Sequence, residues 1–378
     1  MKIVILAPNP PDCVSFGPRQ LASLLNQNGH NCQVVFLRGS VKQNKFDSSF
    51  IYQYPDSMIG DIVEICKDAD VVGASFMSLY YDRGVQLTKE IKAAYPEKPV
   101  IWGGTHASLR PEMSLEHADY VAVGEAEISF TEWLKRLEEG GDLDSCPGIW
   151  TKVDGEIVKN GEGQIVDDLN SLPWPDMDTD GHYVDDGGRI VDMSTEMMRK
   201  VLPRLPYFDG QVHIGIRFMA TRGCPHRCTY CASSAQTAMR RRTVESTVQH
   251  IEWLVERYPF LETVYEFDDT FFATKFSWLK EFAASYKERI GLPWHCQTSP
   301  TTLNRKKLDL LIDAGLVYCE MGVQSGSEEI KSLFKRSESE SQVVKAAELL
   351  HSYYLEGKIQ TPRFHIITDV PWESPESV

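Results

Sequence analysis

Short apolar runs alternate with amphipathic stretches along the first 145 residues of the chain. Continuous apolar character predicts buried strands at residues 2–7, 32–37, 70–76, 99–104 and 120–125. Apolar residues at helical spacing predict helices at residues 18–29, 84–96 and 129–140. Strands that are apolar throughout and alternate with helices form a parallel sheet covered on both faces. The pattern therefore predicts a doubly wound α/β domain, which binds ligands beyond the carboxyl ends of its strands.

A second alternation of strands and helices occupies residues 215–378. Strand candidates start near residues 215, 262, 293, 316 and 363, and helical spacing occurs at residues 246–258, 305–315 and 341–357. Repeated strand–helix units of this kind fit a barrel. Between the two alternations, residues 146–214 begin with a predicted hairpin that turns at Asp154 and Gly155. The rest of that segment is rich in Asp, Gly and Pro, which predicts a solvated acidic linker.

Composition and charge exclude several classes of protein. A chain of 378 residues with 42% hydrophobic and 25% charged residues is typical of a globular protein with two domains. It contains no run of apolar residues long enough to predict a membrane span. The formal net charge of −15 argues against a nucleic-acid partner, because binding to the phosphate backbone needs a basic surface. The first residues lack the features of a signal peptide, so we expect a cytoplasmic protein.

Three of the nine cysteines, Cys224, Cys228 and Cys231, lie close together on a loop that follows a strand candidate. Iron–sulfur clusters are held by cysteine thiolates, and their usual complement is four. Structural zinc sites also take four ligands, commonly from paired C-x2-C units, and the chain has no second unit of that kind. The spacing indicates a cluster with one position that cysteine does not fill. A zinc site or a purely structural cluster is the alternative.

Small and polar residues follow the predicted strands of the first domain, where a doubly wound sheet binds its ligand. These fragments are APNPPD (7–12), SFMS (75–78), GGTHAS (103–108) and GEAE (124–127). Glycine at a strand end lets the backbone approach a ligand closely. No G-x-G-x-x-G follows the first strand, which argues against a dinucleotide. Each fragment alone is as typical of a tight turn, and His106 alone is typical of a hydrogen-bonded turn residue.

Taken in order, the strand-end fragments resemble the cobalamin-binding domain that precedes many radical S-adenosylmethionine (SAM) enzymes. The Cys-x3-Cys-x2-Cys loop resembles the radical SAM signature. The resemblance implies a doubly wound cobalamin-binding domain over residues 1–145, followed by a partial (β/α) radical SAM barrel over residues 215–378. It also implies three cofactors, namely a [4Fe-4S] cluster, SAM and cobalamin. The three cysteines would hold three irons, and SAM would take the fourth.

The resemblance assigns candidate cofactor-binding residues by position. For cobalamin they are Pro10, Asp12, Ser75, Gly103, Gly104, His106, Gly124 and Glu125. For SAM they are Tyr230, Glu266, Asp268 or its neighbour Asp269, Gln324 and Ser325. Adjacent strand residues point to opposite faces, so at most one of the two aspartates enters the site. Gln324 stands where the family more usually has glutamate. The first loop of the cobalamin domain has no histidine, so we expect no protein histidine on cobalt.

The activity implied by the resemblance is reductive cleavage of SAM to a 5′-deoxyadenosyl radical, followed by methyl transfer to an unactivated carbon. The alternatives are a non-methylating radical cyclisation or rearrangement, and a cobalamin- or cluster-binding protein without catalysis. The implied partners are a small-molecule substrate and an external electron donor of the flavodoxin or ferredoxin type. No residue is assigned a catalytic role, and neither composition nor motif identifies the substrate.

The second half of the chain contains five strand candidates, whereas the barrel of the resembled family has six strands. We therefore expect the last strand and the carboxyl-terminal extension to be missing. An unpaired edge on the fifth strand invites association with another chain. A partner subunit or self-association at this open edge is the corresponding expectation.

Overall fold

The computed structural model describes residues 1–8, 13–38, 53–208, 210–235, 239–368 and 370–372. The chain divides into two compact units. Unit 1 comprises Met1–Asp167 and Ser171–Leu202, and unit 2 comprises Asp168–Asn170 and Pro203–Val378. Within the described ranges, no helix is both long enough and apolar enough to cross a bilayer.

The described part of unit 1 is built on a single nine-stranded sheet flanked by helices. The strands are β1 (Lys2–Ala7), β2 (Asn31–Phe36), β3 (Val71–Ser75), β4 (Val100–Gly103), β5 (Tyr120–Ala122), β6 (Ile149–Val153), β7 (Glu156–Val158), β8 (Tyr183–Asp186) and β9 (Arg189–Asp192). The helices are α1 (Phe16–Gln27), α2 (Asp56–Cys66), α3 (Tyr81–Ala94), α4 (Gly104–Leu109), α5 (Pro111–Ser114), α6 (Glu127–Glu139) and α7 (Thr195–Val201). The strand order is β7-β6-β5-β4-β3-β1-β2-β8-β9.

The centre of this sheet consists of the five predicted strands, all parallel, in the order β5-β4-β3-β1-β2. β1 is buried from Ile3 to Ala7 because it has a parallel neighbour on each side and apolar residues on both faces. The chain leaves β1 towards β2 on one side and returns to β3 on the other. This reversal is the switch point of a doubly wound sheet, and a ligand crevice opens beyond the carboxyl ends of the strands there.

Two antiparallel hairpins extend the central strands on both sides. The hairpin β6–β7 pairs with β5, and it turns at Asp154 and Gly155, both of which have positive φ. The hairpin β8–β9 pairs with β2, so part of the segment expected to be an acidic linker is folded onto unit 1. The exposed edges of a parallel sheet carry unpaired N–H and C=O groups, and the hairpins satisfy them.

The described part of unit 2 contains a six-stranded sheet and a separate two-stranded ladder. The strands are β10 (Arg204–Pro206), β11 (Val212–Phe218), β12 (Thr221–Arg222), β13 (Arg240–Arg241), β14 (Thr263–Glu266), β15 (Trp294–Thr298), β16 (Leu316–Gln324) and β17 (Arg363–Ile366). The helices are α8 (Val244–Arg257), α9 (Phe276–Arg289), α10 (Arg305–Asp313), α11 (Glu328–Leu333) and α12 (Glu340–Leu355). The order of the larger sheet is β10-β11-β14-β15-β16-β17, and β12 pairs with β13.

Five strands of the larger sheet, β11 and β14 to β17, are parallel and lie at the five predicted positions. The remaining strand, β10, was not predicted, and it pairs antiparallel with β11. One face of the sheet packs on helices, as Trp294 shows by contacting Phe282 and Tyr286 of α9 at ring-centroid distances of 5.8 Å. The opposite face carries polar side chains, and we call it the inner face.

A buried hydrogen bond in unit 1 provides a test of the fold. Trp102 of β4 is fully buried, and its indole N–H donates to Oγ1 of Thr88 in α3 at 2.8 Å. The substitution Thr88→Val keeps the shape of the side chain but leaves this N–H unpaired. We expect the free energy of unfolding in urea, followed by tryptophan fluorescence, to fall by about 1–3 kcal/mol.

The matched control is Thr131→Val in α6, where the half-buried hydroxyl donates to the carbonyl of Glu127 at 2.7 Å. That carbonyl belongs to a helix and stays in its ladder, so the expected loss is within about 0.5 kcal/mol. Equal losses in the two variants would show that the Trp102 N–H does not need Thr88.

Candidate functional site

Three residues predicted from the sequence, Ser75, Gly103 and Gly104, line one cleft at the carboxyl edge of the unit 1 sheet. The volume of the cleft is about 40 Å³. The rest of its lining is apolar and rich in small residues, and comprises Ile5, Leu21, Gly73, Ala74, Ile101, Trp102, Ala122, Ala126 and Phe130. The cleft therefore lies across β1, β3, β4 and β5, next to the switch point of the sheet.

Gly104 is required by the close approach of two strand ends. Its φ is +84°, and a Cβ atom at this position would lie 2.9 Å from Oγ of Ser75 and 3.0 Å from the backbone nitrogen of Phe76. Both the conformation and the space exclude a larger residue. Gly104, which was predicted as a ligand contact, is thus also needed for the close packing of the ends of β3 and β4.

His106 is buried in α4, close to the same strand ends. Its Nδ1 lies 3.1 Å from Oγ of Ser78, and its ring stacks on Phe76 at a centroid distance of 5.7 Å. Its Nε2 has no hydrogen-bond partner within the described part of the chain. Burial lowers the pKa of His106, which keeps the imidazole neutral at pH 7. Among the described residues, this buried nitrogen near the carboxyl edge is therefore unpaired.

Gly124 and Glu125 pack against a later segment of unit 1. Gly124 has a φ of +86°, forms a parallel bridge with Gly163 and donates its N–H to Oγ of Ser108 at 2.9 Å. Glu125 is buried, and its Oε2 accepts the N–H of Val166 at 3.4 Å. Two further predicted residues, Pro10 and Asp12, lie outside the described residues.

In unit 2, the three predicted cysteines lie between β12 and β13. The short ladder between these strands draws the two ends of the loop together. Cys224 and Cys228 are buried, Cys231 is partly exposed, and all three are free thiols. Burial raises the pKa of Cys224, and a hydrogen bond from the N–H of His226 to its sulfur opposes that effect.

A segment after α11 holds the cysteine loop in place. Thr229 donates its N–H to the carbonyl of Phe334 at 3.2 Å and its hydroxyl to the carbonyl of Leu333 at 2.9 Å. The ring of Tyr230 meets that of Phe334 edge-on at 4.9 Å. Burial and a hydrogen bond with Cys228 raise the pKa of Tyr230, so its hydroxyl stays protonated. Tyr230 is therefore fixed between Cys228 and Phe334.

Arg336 is a residue near the cysteines that the sequence analysis missed. Its Nη1 donates to Sγ of Cys228 at 3.7 Å, and its Nη2 donates to the carbonyl of Gly322 at 2.9 Å. It also forms an ion pair with Glu338 at 2.5 Å, with both side chains buried. A guanidinium beside a cysteine stabilises the thiolate form. No local motif marks this arginine, because 108 positions separate it from Cys228.

Two carboxylates are fully enclosed at the end of β14. Asp268 accepts the N–H groups of Ala220 and Thr221 at 2.7 and 3.0 Å, and Glu266 accepts the N–H of Asp268. One oxygen of each carboxylate, Oδ2 of Asp268 and Oε2 of Glu266, makes no hydrogen bond to the residues that the structure describes. Burial raises the pKa of Asp268 to about 7 and that of Glu266 well above its usual range. Both oxygens keep acceptor capacity, although the side chain of Thr221 lies close enough to Asp268 to lower its pKa.

Asp269, the alternative to Asp268, faces the other way. It is exposed, and its Oδ1 accepts the hydroxyl of Ser233 at 2.6 Å. The expectation that the two neighbours point to opposite sides agrees with this placement.

Gln324 and Ser325 end β16 in a tight turn. Gln324 has a φ of +73°, and its side-chain nitrogen lies 2.7 Å from where a Cβ atom of Gly322 would stand. Glycine at position 322 therefore gives the amide its space. Ser325 is buried, and its Oγ accepts the N–H of Ser327, the residue that caps α11. Both predicted residues are thus placed at the carboxyl end of a barrel strand.

Among the residues that the structure describes, no group of three or more His, Cys, Asp or Glu side chains is placed to hold a single metal ion. The three cysteines share a loop, and two of their sulfurs accept hydrogen bonds, from His226 and Arg336. Hydrogen bonds to thiolate sulfurs are typical of iron–sulfur sites, where they tune the reduction potential.

Two family models match the chain, one in each half. The model of the B12 binding domain matches residues 3–134, and the model of the radical SAM superfamily matches residues 219–375. The first half of the chain is therefore similar to B12 binding domains, and the second half is similar to radical SAM domains. The fold class and the three cofactors predicted from the sequence are confirmed at this level.

Two curated relatives carry names from the same enzyme group. An uncharacterized methyltransferase of Pyrococcus horikoshii, PH0819, is 25% identical over 308 residues, which are 79% of this chain and 62% of the relative. The cobalamin-dependent radical SAM methyltransferase TokK of Streptomyces tokunonensis is 25% identical over 229 residues, which are 56% of this chain and 30% of the relative. The chain thus spans less than two thirds of the length of either relative.

A solved structure shares the fold along the whole chain. The radical SAM methyltransferase TsrM of Kitasatospora setae, with tryptophan substrate and a SAM analogue bound, superposes with a TM-score of 0.73. The match covers 100% of this chain and 69% of the other, at 17% sequence identity. At this identity the similarity establishes the fold alone.

The residues present fit the cofactors that the two domains imply. The cleft in unit 1 is apolar and lined by glycine and alanine, and its volume of about 40 Å³ suits contact with part of a large ligand such as cobalamin. The loop in unit 2 presents three free thiols with hydrogen-bond donors at two of the sulfurs. The unpaired oxygens of Glu266 and Asp268 suit an ammonium group such as that of SAM.

The raised pKa of Asp268 predicts a pH-dependent stability. Between about pH 4 and pH 7, this carboxyl is protonated in the folded protein and ionised in the unfolded chain. The free energy of unfolding of the ligand-free protein therefore falls as pH rises through this window and levels off above it. Asp268→Asn keeps an oxygen for Ala220 and Thr221 but cannot titrate. We expect it to reduce the fall in urea-unfolding free energy between pH 5 and pH 8 by about 1–3 kcal/mol.

Asp269→Asn is the matched control, since this exposed neighbour makes one bond to Ser233. Its pH profile should follow that of the unmodified protein. Parallel profiles for Asp268→Asn and the unmodified protein would show that Asp268 is already ionised at pH 5.

Proposed function

We propose that the protein is a cobalamin-dependent radical SAM enzyme that transfers a methyl group to an unactivated carbon of a small molecule. The observation that carries the proposal is the loop with Cys224, Cys228 and Cys231 beyond β11, with the buried Arg336 beside it, in a chain that begins with a B12 binding domain. The methyltransferase names of PH0819, TokK and TsrM support methyl transfer as the reaction.

In this proposal, Cys224, Cys228 and Cys231 hold three irons of the cluster, and Arg336 compensates the negative charge at Cys228. The fixed contacts of Thr229 with the segment after α11 keep the loop in one conformation. When bound, the cluster supplies the electron for cleavage of SAM, and cobalamin supplies the methyl group. The protein's contribution is to orient these groups and to exclude water from the reacting centre.

SAM binding is assigned to residues at the carboxyl ends of the parallel strands. The buried oxygens of Glu266 and Asp268 accept the amino group, and Gln324 and Ser325 lie on the turn that faces the same edge of the sheet. Tyr230 supplies an aromatic ring beside the last cysteine. Because Gln324 is neutral, it contributes hydrogen bonds and no charge.

Cobalamin binding is assigned to the cleft of unit 1, with Ser75, Gly103 and Gly104 in its lining. His106 is buried between Phe76 and Tyr81, and we propose that the cobalt takes no protein histidine. Contacts by Gly124, Glu125, Pro10 and Asp12 stay predictions from the sequence.

Further parts of the proposal concern partners and location. An external electron donor of the flavodoxin or ferredoxin type reduces the cluster. β17 has β16 as its neighbour at the edge of the described sheet, and this edge is the proposed place of self-association or of a partner subunit. A cytoplasmic location stays a prediction from the sequence.

Cluster chemistry is tested with a triple variant in which Cys224, Cys228 and Cys231 are replaced by alanine. The anaerobically reconstituted protein should hold about four irons and four sulfides, and after reduction it should release 5′-deoxyadenosine from SAM. The triple variant should lose the iron, the brown absorbance and this release.

Cys146→Ala, which removes a buried thiol of unit 1, is the matched control and should keep all three properties. A triple variant that retains its iron would refute the cluster assignment. Transfer of a labelled methyl group to product separates methylation from a non-methylating rearrangement. Binding of both cofactors without release of 5′-deoxyadenosine would identify a protein without catalysis.

Cobalamin binding is tested by filling the cleft. A Cβ atom at Gly103 would meet only Cβ of Ala122 at 3.9 Å, so the backbone tolerates a side chain at this position. A larger side chain would occupy the space of the cleft. We expect Gly103→Leu to weaken cobalamin binding about tenfold or more, because a buried side chain in a complementary cleft excludes the ligand. Equilibrium dialysis measures this change.

Gly60→Leu, at an exposed position of α2 with open space around it, should bind cobalamin as the unmodified protein does. Electron paramagnetic resonance of the Co(II) state should show no nitrogen superhyperfine splitting from an imidazole. Such splitting would contradict the absence of a histidine ligand, and equal binding by both leucine variants would remove the cleft from the site.

A further inference from the structure

The inner face of unit 2 carries a continuous set of polar side chains from four neighbouring strands. Tyr265 of β14 donates its hydroxyl to Oε2 of Glu320 in β16 at 3.0 Å, and Gln297 of β15 donates to the same hydroxyl at 3.0 Å. Glu320 also accepts from Arg363 at 3.3 Å and from His365 at 3.0 Å, both in β17. The network thus crosses the sheet from β14 to its edge strand.

The carboxylate of Glu320 has little hydrogen-bonding capacity left. Its side chain is only 11% exposed. It accepts from Tyr265, Arg363 and His365. A carboxylate offers about four acceptor sites, so these three donors occupy most of them. Glu320 therefore offers little to a cationic ligand.

Arg363, in contrast to Glu320, has hydrogen-bonding capacity left. Its side chain is 61% exposed, and in the described part of the chain it donates one hydrogen bond, from Nη1 to Glu320. A guanidinium has five N–H donors in a planar fork, so most of them are available. That fork matches the two oxygens of a carboxylate or phosphate. The hydrogen-bonding groups still available on this face are therefore the N–H donors of the positively charged Arg363.

A second arginine stands on the inner face. Arg217, which neighbours Tyr265 in the strand register, lies over the ring of Phe267 at 4.6 Å, so a second cation stands on this face. The neighbouring His295 is fully buried, and burial lowers its pKa to about 4, so it adds no charge. The arginines named on this face are thus Arg217 and Arg363, in a chain whose formal net charge is −15.

We propose that the inner face of unit 2 recognises the substrate through an anionic group, a carboxylate or a phosphate, which binds the guanidinium of Arg363. Glu320 acts as a positioning residue, because its bonds to Arg363 and His365 hold the edge strand's side chains over the face. The inference deepens the proposed function, on which it rests, by giving the chemical class of the substrate group.

The test uses the arginine reagent phenylglyoxal on the full-length, anaerobically reconstituted protein. Peptide mass spectrometry measures the modification rate of each arginine with acetate, inorganic phosphate or sodium chloride added at equal ionic strength. Arg189 is a matched internal control, since its side chain is 64% exposed and also pairs with a carboxylate, that of Asp61 at 2.7 Å. We expect acetate or phosphate to slow modification of Arg363 about threefold or more relative to chloride, with Arg189 unchanged.

Protection by acetate alone assigns a carboxylate, protection by phosphate alone assigns a phosphate, and protection by both supports an anion site of either class. Absence of protection, or equal protection of Arg189, shows Arg363 to be a solvated surface residue and overturns the proposal. Glu320→Gln should reduce the protection if Glu320 positions Arg363, and unchanged protection refutes that role. If a low iron content shows that Glu320→Gln does not fold, Tyr265→Phe takes its place in this test, because it removes one hydrogen-bond donor to Glu320.

Release of 5′-deoxyadenosine by the same preparation separates the two proposals. Release without protection of Arg363 refutes the anion site and leaves the proposed function standing. Protection without release supports the anion site while the proposed enzyme activity fails.

Discussion

The cysteine loop depends on one buried carboxylate that joins two strand ends. Asp268 follows β14 and accepts the N–H groups of Ala220 and Thr221, which follow β11. The chain leaves the sheet at these two residues and enters the cysteine loop, so the same bonds set where the loop begins. An enclosed carboxyl with an unpaired oxygen is costly. The backbone donors on one side of the carboxylate offset part of this cost.

Parallel topology brings the remaining site residues together in both units. Since the carboxyl ends of parallel strands meet at one edge, Ser75 and Gly103 become neighbours in unit 1, and Glu266 and Gln324 lie at the same edge of unit 2. Electrostatics then distinguishes two regions of unit 2. Arg336 is buried and binds both Cys228 and Glu338, whereas Arg363 is exposed and donates one hydrogen bond within the described residues. The same residue type thus stabilises a site in one place and presents a surface in the other.

Apolar runs were sufficient to predict the five central strands of unit 1, because strands buried on both faces are apolar throughout. The five parallel strands of unit 2 were found from the alternation of strands and helices, since one face of their sheet is polar. They did not predict the hairpin β8–β9. It is half-exposed at the edge of the sheet, has no apolar alternation, and exists through its pairing with β2. Helix α2 was also missed, although its buried residues Met58, Ile59, Ile62 and Cys66 repeat at helical spacing. The helical spacing of α2 was present in the sequence, whereas the hairpin β8–β9 has no comparable local pattern.

The sequence alone determined the cysteine spacing, the glycine-rich strand ends and the acids after β14, since each is carried by residues adjacent in the chain. Tertiary structure decided which of these residues face a site. It buried Asp268 and exposed Asp269, and it brought Arg336 to Cys228 across 108 positions. It likewise joined Tyr265 to Glu320 across 55 positions. Local patterns record the period of a strand or helix, but a contact between distant residues arises only when strand order and register place them side by side.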